Sequence, residues 1–359
     1  MTAAAGRYRV SHSHHLADLL TDADRLAALV ASAPPAQRGG LTESRRADAA
    51  KATLVLDAVP AEEIPDPATA VTTITAAGPG RVAPDTLATG TWLDAMRVLD
   101  QPHDATVHAL ELLGALEGLA AGDLAEPLST DLSATLAELH RRLTRGLVAQ
   151  PGIPRTRNQA VVDGGTGRVI YFPADPATCA RDVALLGAWI ATDGSREHAL
   201  IASGVLHLEL LRLHPFEVAS GRLARTAARL MLQARRLDPD GLAAPEVWLA
   251  RDALGYHEEV AQTARRRDLT IWCERWGEAI TDGLRAAARD LSVVTTTPPD
   301  GAERFVEAQG GADFTVADYR SDADVPPQRA RNDLRLLLDA GRIDRVPGTR
   351  GLRLRPVPW

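Results

Sequence analysis

One short stretch of this sequence combines a potential base with two potential anion-binding side chains. Residues 213–225 read LHPFEVASGRLAR, with His214 near the start. Histidine has an unperturbed pKa near neutrality, so it can accept a proton at physiological pH. Arg222 and Arg225 are three residues apart, which places them on one face of a helix. A base beside such an anion cradle is typical of a phosphoryl- or nucleotidyl-transfer site.

Two helices and a tight loop must hold these side chains in place. Residues 197–213 are strongly apolar, which predicts a buried central helix that ends just before the histidine. A proline and two small residues then predict a tight loop, and residues 221–236 predict the next helix. The free N–H groups of Ser220, Gly221 and Arg222 would point at any group over that helix end. Such a helix terminus favours an anion.

Composition limits the classes of protein that fit. The chain has 359 residues, enough for two or three domains, and it is 45% hydrophobic and 24% charged, as soluble globular proteins are. A net charge of −7 excludes a basic nucleic-acid coat. Lys51 is the single lysine, so neither the phosphate-binding loop of P-loop proteins nor a kinase strand lysine is present. Phosphate chemistry would have to rely on arginine and backbone dipoles.

The cysteines and the apolar segments bear on location. Cys179 and Cys273 have neither metal-binding nor redox spacing, which indicates a reducing compartment. The N-terminal residues contain no apolar signal-peptide core, and no apolar run reaches the length of a membrane span. We therefore expect a cytoplasmic protein that does not bind membranes.

The stretch at 213–225 resembles the signature of the Fic family, H-x-F-x-[D/E]-[A/G]-N-G-R-x-x-R. The positions that match are His214, Phe216, Ala219, Gly221, Arg222 and Arg225. Two positions depart from the pattern. Val218 stands where the family has the acid that binds Mg²⁺, and Ser220 stands where it has Asn. The resemblance implies a mainly α fold, with a Fic-type helical core, a short β-hairpin flap and a C-terminal winged helix-turn-helix.

The resemblance also implies an activity, which is AMP transfer from ATP to a hydroxyl group of a target protein. His214 would act as the general base, and Phe216 would anchor the loop in the core. The residues assigned to nucleotide binding are Ser220, Gly221, Arg222 and Arg225. Mg²⁺ prefers hard oxygen ligands, and the side chain of Val218 has none. The neighbouring Glu217 is not expected to substitute, so a weak or metal-independent transferase is implied.

A second, looser resemblance lies near the N-terminus. Many Fic proteins have an inhibitory helix with the pattern [S/T]-x-x-x-E-[G/N], whose acid pairs with the second arginine of the signature. Residues 53–58 read TLVLDA, so Thr53 and Asp57 fit with Asp in place of Glu. The resemblance implies that Asp57 pairs with Arg225 and opposes nucleotide binding. The alternative is an ordinary amphipathic helix in which Asp57 is a surface charge.

A β-hairpin is expected upstream of the signature. Two β-prone runs flank the glycine-rich residues 164–167, and a helix is predicted from 176 to 190. In the Fic family a flap at this place binds the target segment by strand addition. The flap residues that would contact the target are Asn158, Gln159, Ala160 and Val161. The alternative is a surface hairpin with no role.

The C-terminal segment has a different pattern. After a short linker at 293–301, helices and a second hairpin are expected, which resembles a winged helix. Residues 326–359 contain eight Arg and three Asp, a net charge of +5. The predicted DNA contacts are Gln328, Arg329, Arg331, Asn332 and Arg335 in the helix, with Arg350 and Arg353 in the wing. The alternative is a dimerisation or scaffold module.

The sequence thus predicts three parts and leaves three functions open. Residues 1–100 form a helical region with the inhibitory helix near 44–58, residues 101–292 form the Fic-like core, and residues 302–359 form the winged-helix-like part. The functions are a Fic-type adenylyltransferase, a nucleotide- or phosphate-binding regulator that acts through DNA, and a structural interaction protein. A homodimer is compatible with each. His140 and His207 are expected to be structural, and Tyr256 to pack or to lie near the nucleotide.

Overall fold

Helices dominate the computed structural model, as predicted from the sequence. The structure describes residues 8–11, 13–77, 105–162, 168–263, 266, 268–294, 297–347 and 352–358. The N-terminal and core helices are α1 (His14–Ser32), α2 (Pro35–Leu56), α3 (Pro67–Ala77), α4 (Ala105–Leu119), α5 (Ala125–Thr130), α6 (Leu132–Leu143), α7 (Pro176–Ala191), α8 (Ala199–Leu213), α9 (Ser220–Ala234), α10 (Pro245–Leu249), α11 (Ala253–Thr263) and α12 (Thr270–Asp290). Short 3₁₀ turns span Ala61–Glu63, Gly122–Leu124, Asp193–Arg196 and Ala250–Asp252.

Helix α8 is the centre of the main hydrophobic core. All its residues except Ala199 and Arg212 are buried, because the helix is apolar on every face. Helix α9 packs along it more extensively than any other element, and α12 also packs on it. The chain leaves α8 at His214, whose φ of +44° turns the backbone out of the helix. The core therefore fixes both sides of the 214–219 loop.

Helix α2 is longer than the sequence pattern predicted. It begins at Pro35, continues through Gly39 and Gly40, and ends at Leu56, with Asp57 as its C-cap residue. The start expected from the sequence, near residue 44, is therefore wrong. Proline is favoured in the first turn of a helix, which explains the start at Pro35. Gly39 and Gly40 are exposed, and each lowers the stability of the helix by only about 1 kcal/mol relative to alanine.

The predicted hairpin before the signature is present. Strands β1 (Val161–Val162) and β2 (Val169–Tyr171) are antiparallel, with Val161 opposite Tyr171. Its glycine-rich turn at 163–167 lies outside the described residues. Tyr171, the last residue of β2, is buried in the main hydrophobic core.

The C-terminal residues form their own small hydrophobic cluster. Its elements are α13 (Asp300–Ala308), β3 (Phe314–Thr315), α14 (Val316–Ala323), α15 (Pro327–Asp339), β4 (Ile343–Arg345) and β5 (Arg353–Pro356). The strands form an antiparallel sheet in the order β3-β5-β4. The cluster is joined to the core by ionic contacts, in which Asp339 accepts from Arg285 at 2.8 Å and from Arg25 at 3.0 Å. Its interpretation as a winged helix stays a prediction.

Two further expectations concern membranes and cysteines. Among the described residues, no helix combines the length and the apolar character that crossing a membrane requires. Cys179 and Cys273 are both buried with free thiols.

Candidate active site

His214 lies at the C-terminal end of α8 with one ring nitrogen fixed. Nδ1 is 2.5 Å from the carbonyl oxygen of Leu211, and because a carbonyl only accepts, Nδ1 carries the proton. Nε2 is thereby left as the basic nitrogen. Burial, together with a smaller effect of the nearby charge of Arg155, lowers the pKa of His214 to about 4. The imidazole is therefore neutral near pH 7 and able to accept a proton.

Arg155 holds the backbone on both sides of His214. This buried arginine donates from Nε to the carbonyl of His214, from Nη1 to Arg157 at 2.7 Å and from Nη2 to Leu213 at 3.0 Å. It also donates to the carbonyl of Ala174, just after the hairpin. Sequence reasoning missed Arg155, since its partners are far away along the chain. The arginine after the Pro-Gly-Ile-Pro turn was the one available signal.

Phe216 and His140 fix the middle of the loop. Phe216 is buried, as an anchor should be, and its ring stacks on His140 with centroids 4.1 Å apart. His140 accepts from the Gly152 N–H at Nδ1 (2.8 Å), so its Nε2 donates to the carbonyl of Val218 at 3.2 Å. Burial lowers the pKa of His140 to about 4. Both ring nitrogens of His140 are used structurally, in agreement with the prediction.

The start of α9 leaves its first backbone N–H groups without a side-chain cap. Ser220 does not serve that purpose, because its hydroxyl bonds back to Phe216, donating to the carbonyl at 3.0 Å. Gly221 lies in a crowded place. A Cβ there would be 2.9 Å from Asp57 Oδ1 and 3.1 Å from Arg225 Nη1, so any larger residue would collide with this cluster.

Asp57 contacts both arginines of the signature. Its Oδ1 accepts from Arg225, and its Oδ2 lies 3.0 Å from Arg222 Nε as an ion pair whose angle is too poor for a hydrogen bond. Arg225 also donates to Thr53, at 2.5 Å to the hydroxyl and 3.0 Å to the carbonyl. Burial raises the pKa of Asp57, but Arg225 and Arg222 outweigh it and hold that pKa below its usual value. The structure thus brings together Thr53, Asp57 and Arg225 as the pattern predicted.

A second acid, Glu111 of α4, pairs with Arg222. Arg222 Nη2 donates to Glu111 Oε1 at 2.9 Å, and both side chains are buried. This residue was missed, because nothing in its local sequence distinguishes it from other helical glutamates. Arg222 Nη1 and Arg225 Nη1 remain buried without a hydrogen-bond partner among the described residues. Two unsatisfied guanidinium donors at a helix N-terminus fit a phosphate group.

Behind Arg225 lie Tyr256 and His207. The Tyr256 hydroxyl is 2.9 Å from His207 Nε2 and interacts with the charge of the neighbouring Arg225. Burial raises the pKa of Tyr256 to about 12, and burial lowers the pKa of His207 well below its usual value. His207 is thus a neutral core residue, as expected. Arg229, one turn after Arg225, is also buried and donates to Glu246 at 2.9 Å.

The position of the signature's acid, Val218, carries no side-chain ligand for Mg²⁺. The described residues contain no group of three or more His, Cys, Asp or Glu placed to hold a metal ion. The Val218 side chain has no atom that could bind a metal ion. Its backbone carbonyl accepts the hydrogen bond from His140. The backbone carbonyl of Glu217 is also used, since it accepts from Gln159 at 2.6 Å. The residues present therefore do not fit Mg²⁺ in the way that the family signature would.

The flap residues lie next to this loop. Gln159 contacts it directly, Ala160 and Val161 are half-buried, and Asn158 is exposed. Phe172, after β2, leaves 71% of its surface exposed. The ring centroid of Tyr171, the residue before Phe172, is 6.0 Å from that of His214, so the end of β2 lies close to the candidate base.

The residues predicted to contact DNA lie on α15 and β5. Gln328, Arg329, Arg331, Asn332 and Arg353 are exposed, Arg335 is half-buried, and Arg350 lies outside the described residues. Arg329 is 3.8 Å from Asp333, and Arg335 donates to Asn332 at 2.5 Å. Neither pair removes the arginines from solvent.

A helical core around a loop that joins a basic histidine to an arginine-lined helix terminus defines the class of Fic-type domains. Residues 129–232 match the model of the Fic/DOC family. The match contains α6, the hairpin, α7, α8 and nearly all of α9.

One solved structure supports the fold. A Fic family protein from Desulfovibrio desulfuricans G20 is 18% identical with a TM-score of 0.56, over 98% of each chain. A Fic domain containing signaling protein from Bacteroides thetaiotaomicron VPI-5482 is 14% identical with a TM-score of 0.46, over 79% of this chain and 100% of that one. Comparison with curated protein sequences gives no match.

Proposed function

We propose that the protein transfers AMP from ATP to a hydroxyl group of a target protein, and that Asp57 restrains the reaction in the state described. The observation that carries the proposal is the neutral His214. Its Nδ1 is bound to Leu211, which leaves Nε2 free to act as a base beside the unsatisfied donors of Arg222 and Arg225. A module that only bound phosphate would not need such a base.

The reaction balances without another reactant. The target hydroxyl oxygen attacks the α-phosphorus of ATP, and its proton passes to Nε2 of His214. The bond from the α-phosphorus to the bridging oxygen breaks, and pyrophosphate leaves with the electron pair. Arg222 and Arg225 neutralise the charge that develops on the leaving group. The hairpin holds the target segment through backbone hydrogen bonds.

The restraint follows from charge. Asp57 places its two carboxylate oxygens on the same two guanidinium groups that the phosphates of ATP need. The nucleotide must therefore displace Asp57 before its phosphates can bind both arginines. We therefore expect the wild-type protein to have weak activity and a variant without the Asp57 carboxylate to have higher activity.

The test uses ATP labelled on the α-phosphate. The proteins compared are wild type, Asp57→Ala, His214→Ala and the double variant, each incubated alone and with cell lysate, with Mg²⁺, Mn²⁺ or EDTA. We expect more label on protein with Asp57→Ala than with wild type, none with either His214 variant, and none from ATP labelled on the γ-phosphate. Absence of any His214-dependent label under all three conditions overturns the proposal.

Val218 favours a second candidate function, which is nucleotide binding without transfer. Losing a metal's contribution costs several kcal/mol of transition-state stabilisation, which is orders of magnitude in rate. If this candidate is correct, calorimetry shows that ATP binds to the Asp57→Ala variant, but neither the wild-type protein nor this variant transfers label to protein. Under the first candidate, binding and labelling appear together.

We further propose that the exposed arginines of α15 bind duplex DNA. Arg329 and Arg331 are both exposed on α15, within the one segment of the sequence that has a strongly positive local charge. Replacing both with alanine is expected to weaken DNA binding. The slope of log K against log salt concentration should become less negative by about 0.9 for each of the two lost phosphate contacts. Arg320→Ala on α14 is the control. Binding that is absent or independent of salt contradicts this proposal.

A further inference from the structure

Two adjacent residues of α11 contact the two sides of the inhibitory ion pair. The Tyr256 hydroxyl interacts with the charge of the neighbouring Arg225, which is the cation of that pair. His257 Nε2 is 2.7 Å from the carbonyl oxygen of Leu56, the residue before Asp57, which is the anion. Because a carbonyl only accepts, Nε2 of His257 is the donor. One turn of α11 thus contacts both the helix that presents the acid and the arginine that receives it.

The hydrogen bond from His257 to the Leu56 carbonyl stabilises the C-terminal turn of α2. The last carbonyls of a helix have no partner within the helix, so an outside donor is needed to fix the final turn. Here that final turn also carries the acid. Asp57, Ala58 and Val59 close it with backbone N–H bonds of 2.9 to 3.1 Å to carbonyls of residues 54 and 55. The His257 bond ties this closed turn to α11.

Tyr256 acts from the opposite side. The residue is fully buried, and its hydroxyl is 2.9 Å from His207 Nε2 and close enough to the Arg225 guanidinium to interact with its charge. Because His207 is neutral, its Nε2 can accept from Tyr256, which leaves the lone pairs of the tyrosine oxygen available to Arg225. The tyrosine therefore orients Arg225 whether the partner of that arginine is Asp57 or a phosphate.

We infer that Tyr256 and His257 are positioning residues with opposite effects on nucleotide binding: His257 holds the inhibitory turn in place, and Tyr256 holds Arg225 ready for the anion. The inference rests on the proposed role of Asp57 as a restraint. Loss of the His257 bond frees the turn at 56–59, so ATP displaces Asp57 more easily. Loss of the Tyr256 hydroxyl leaves Arg225 less well oriented, so ATP binds less tightly.

The first experiment needs no nucleotide. Backbone amide exchange at Asp57, Ala58 and Val59 is measured by hydrogen–deuterium exchange in the full chain. His257→Ala is expected to speed exchange there by about three- to tenfold, the effect of one ordinary hydrogen bond, with the middle of α2 unchanged. His257→Gln is the matched control, because its amide N–H can still donate to Leu56. Equal exchange in wild type and His257→Ala overturns the role of His257.

The second experiment measures ATP affinity by calorimetry in EDTA. His257→Ala is expected to tighten binding by about three- to tenfold in the wild-type background and not at all in the Asp57→Ala background. Tyr256→Phe is tested in the Asp57→Ala background, where it should weaken binding about threefold or more. Equal tightening by His257→Ala in both backgrounds, or unchanged binding with Tyr256→Phe, overturns the inference. If Asp57→Ala itself leaves ATP affinity unchanged, the proposed restraint fails, while the exchange measurement still decides whether His257 fixes the turn.

Discussion

Asp57 lies with its Oδ2 atom 3.0 Å from Nε of Arg222, in addition to its contact with Arg225. The sequence pattern predicted the second contact and not the first. Since Glu111 also pairs with Arg222, two acids face two buried arginines at the start of α9. The resting cradle is therefore close to electrically neutral. Displacing Asp57 leaves one acid and two cations, which sets the charge that an incoming phosphate meets.

The first prediction concerns Glu111. In the Asp57→Ala background, Glu111→Gln removes the remaining acid while keeping an oxygen that can accept from Arg222. We expect pyrophosphate to bind about tenfold more tightly, which corresponds to about 1.4 kcal/mol. Calorimetric titration with pyrophosphate measures the change.

The control for this change lies on the same helix. Glu117 of α4 forms an ion pair with Arg145 near the surface and not with Arg222. Glu117→Gln should leave pyrophosphate binding unchanged. Equal effects of the two substitutions, or weaker binding with Glu111→Gln, would show that Glu111 does not set the charge of the cradle.

Glu111 and Arg155 also show where prediction from the sequence stops. The signature residues could be found because a loop between two helices keeps His214, Arg222 and Arg225 within one short window. Glu111 reaches Arg222 across 111 positions, and Arg155 reaches His214 across 59. Such contacts depend on how helices pack, and neither residue has a local spacing that reveals its partner.

The sequence predicted which segments are helical more reliably than it predicted where each helix begins and ends. Apolar spacing identified α8 as the buried centre, because a helix that is apolar on every face must be surrounded. The start of α2 was predicted wrongly, since Gly39 and Gly40 favour a loop locally. Helical structure continues through them because Arg38, beside the glycines, donates to the carbonyls of Ala31 and Ala33 at the end of α1. Tertiary contacts of this kind override local preference.

The second prediction concerns Arg155. Its planar guanidinium reaches four carbonyl groups, whereas the ammonium group of lysine is a point donor that cannot span them. Arg155→Lys is expected to lower the free energy of unfolding by about 1.5–3 kcal/mol, the range for hydrogen bonds to charged groups. Urea denaturation followed by circular dichroism gives the value. Arg157→Lys, at an exposed neighbour, should change it by less than about 0.5 kcal/mol, and an equally mild Arg155→Lys would contradict the role given to Arg155.

The third prediction concerns Val218. The loop uses the carbonyl of this residue and leaves its side chain half-exposed, so a substitution should preserve the loop. In the Asp57→Ala background, Val218→Asp supplies a hard oxygen ligand, and Mg²⁺ should then raise the rate of AMP transfer on the order of a hundredfold. Val218→Asn, of the same shape without the charge, should show little response. The measurement is label incorporation with Mg²⁺ against EDTA, and a Val218→Asp protein indifferent to Mg²⁺ would refute the idea that the missing acid limits the reaction.

The last prediction is a loss of stability at mildly acidic pH. Burial lowers the pKa of His140 and His214 to about 4 and lowers that of His207 well below its usual value. A histidine in the unfolded chain titrates near 6.5, so between about pH 6.5 and 4 the unfolded state binds protons that the folded state does not. The free energy of unfolding must therefore fall as the pH falls through this window, by about 2 kcal/mol per such histidine at pH 5.

His140 provides the test of that origin. Replacing it with glutamine destabilises the protein at pH 7, because the stacking on Phe216 is lost, but it also removes one group that resists protonation. Urea denaturation at pH 7, 6, 5 and 4.5 should show the wild-type and His140→Gln curves converging by about 2 kcal/mol at pH 5. His14→Gln, at an exposed histidine, should run parallel to wild type. The lowered pKa of Asp57 acts only below its usual value of 3.8, outside this window. Parallel curves for His140→Gln and wild type would therefore mean that the stacked imidazole titrates normally in the fold.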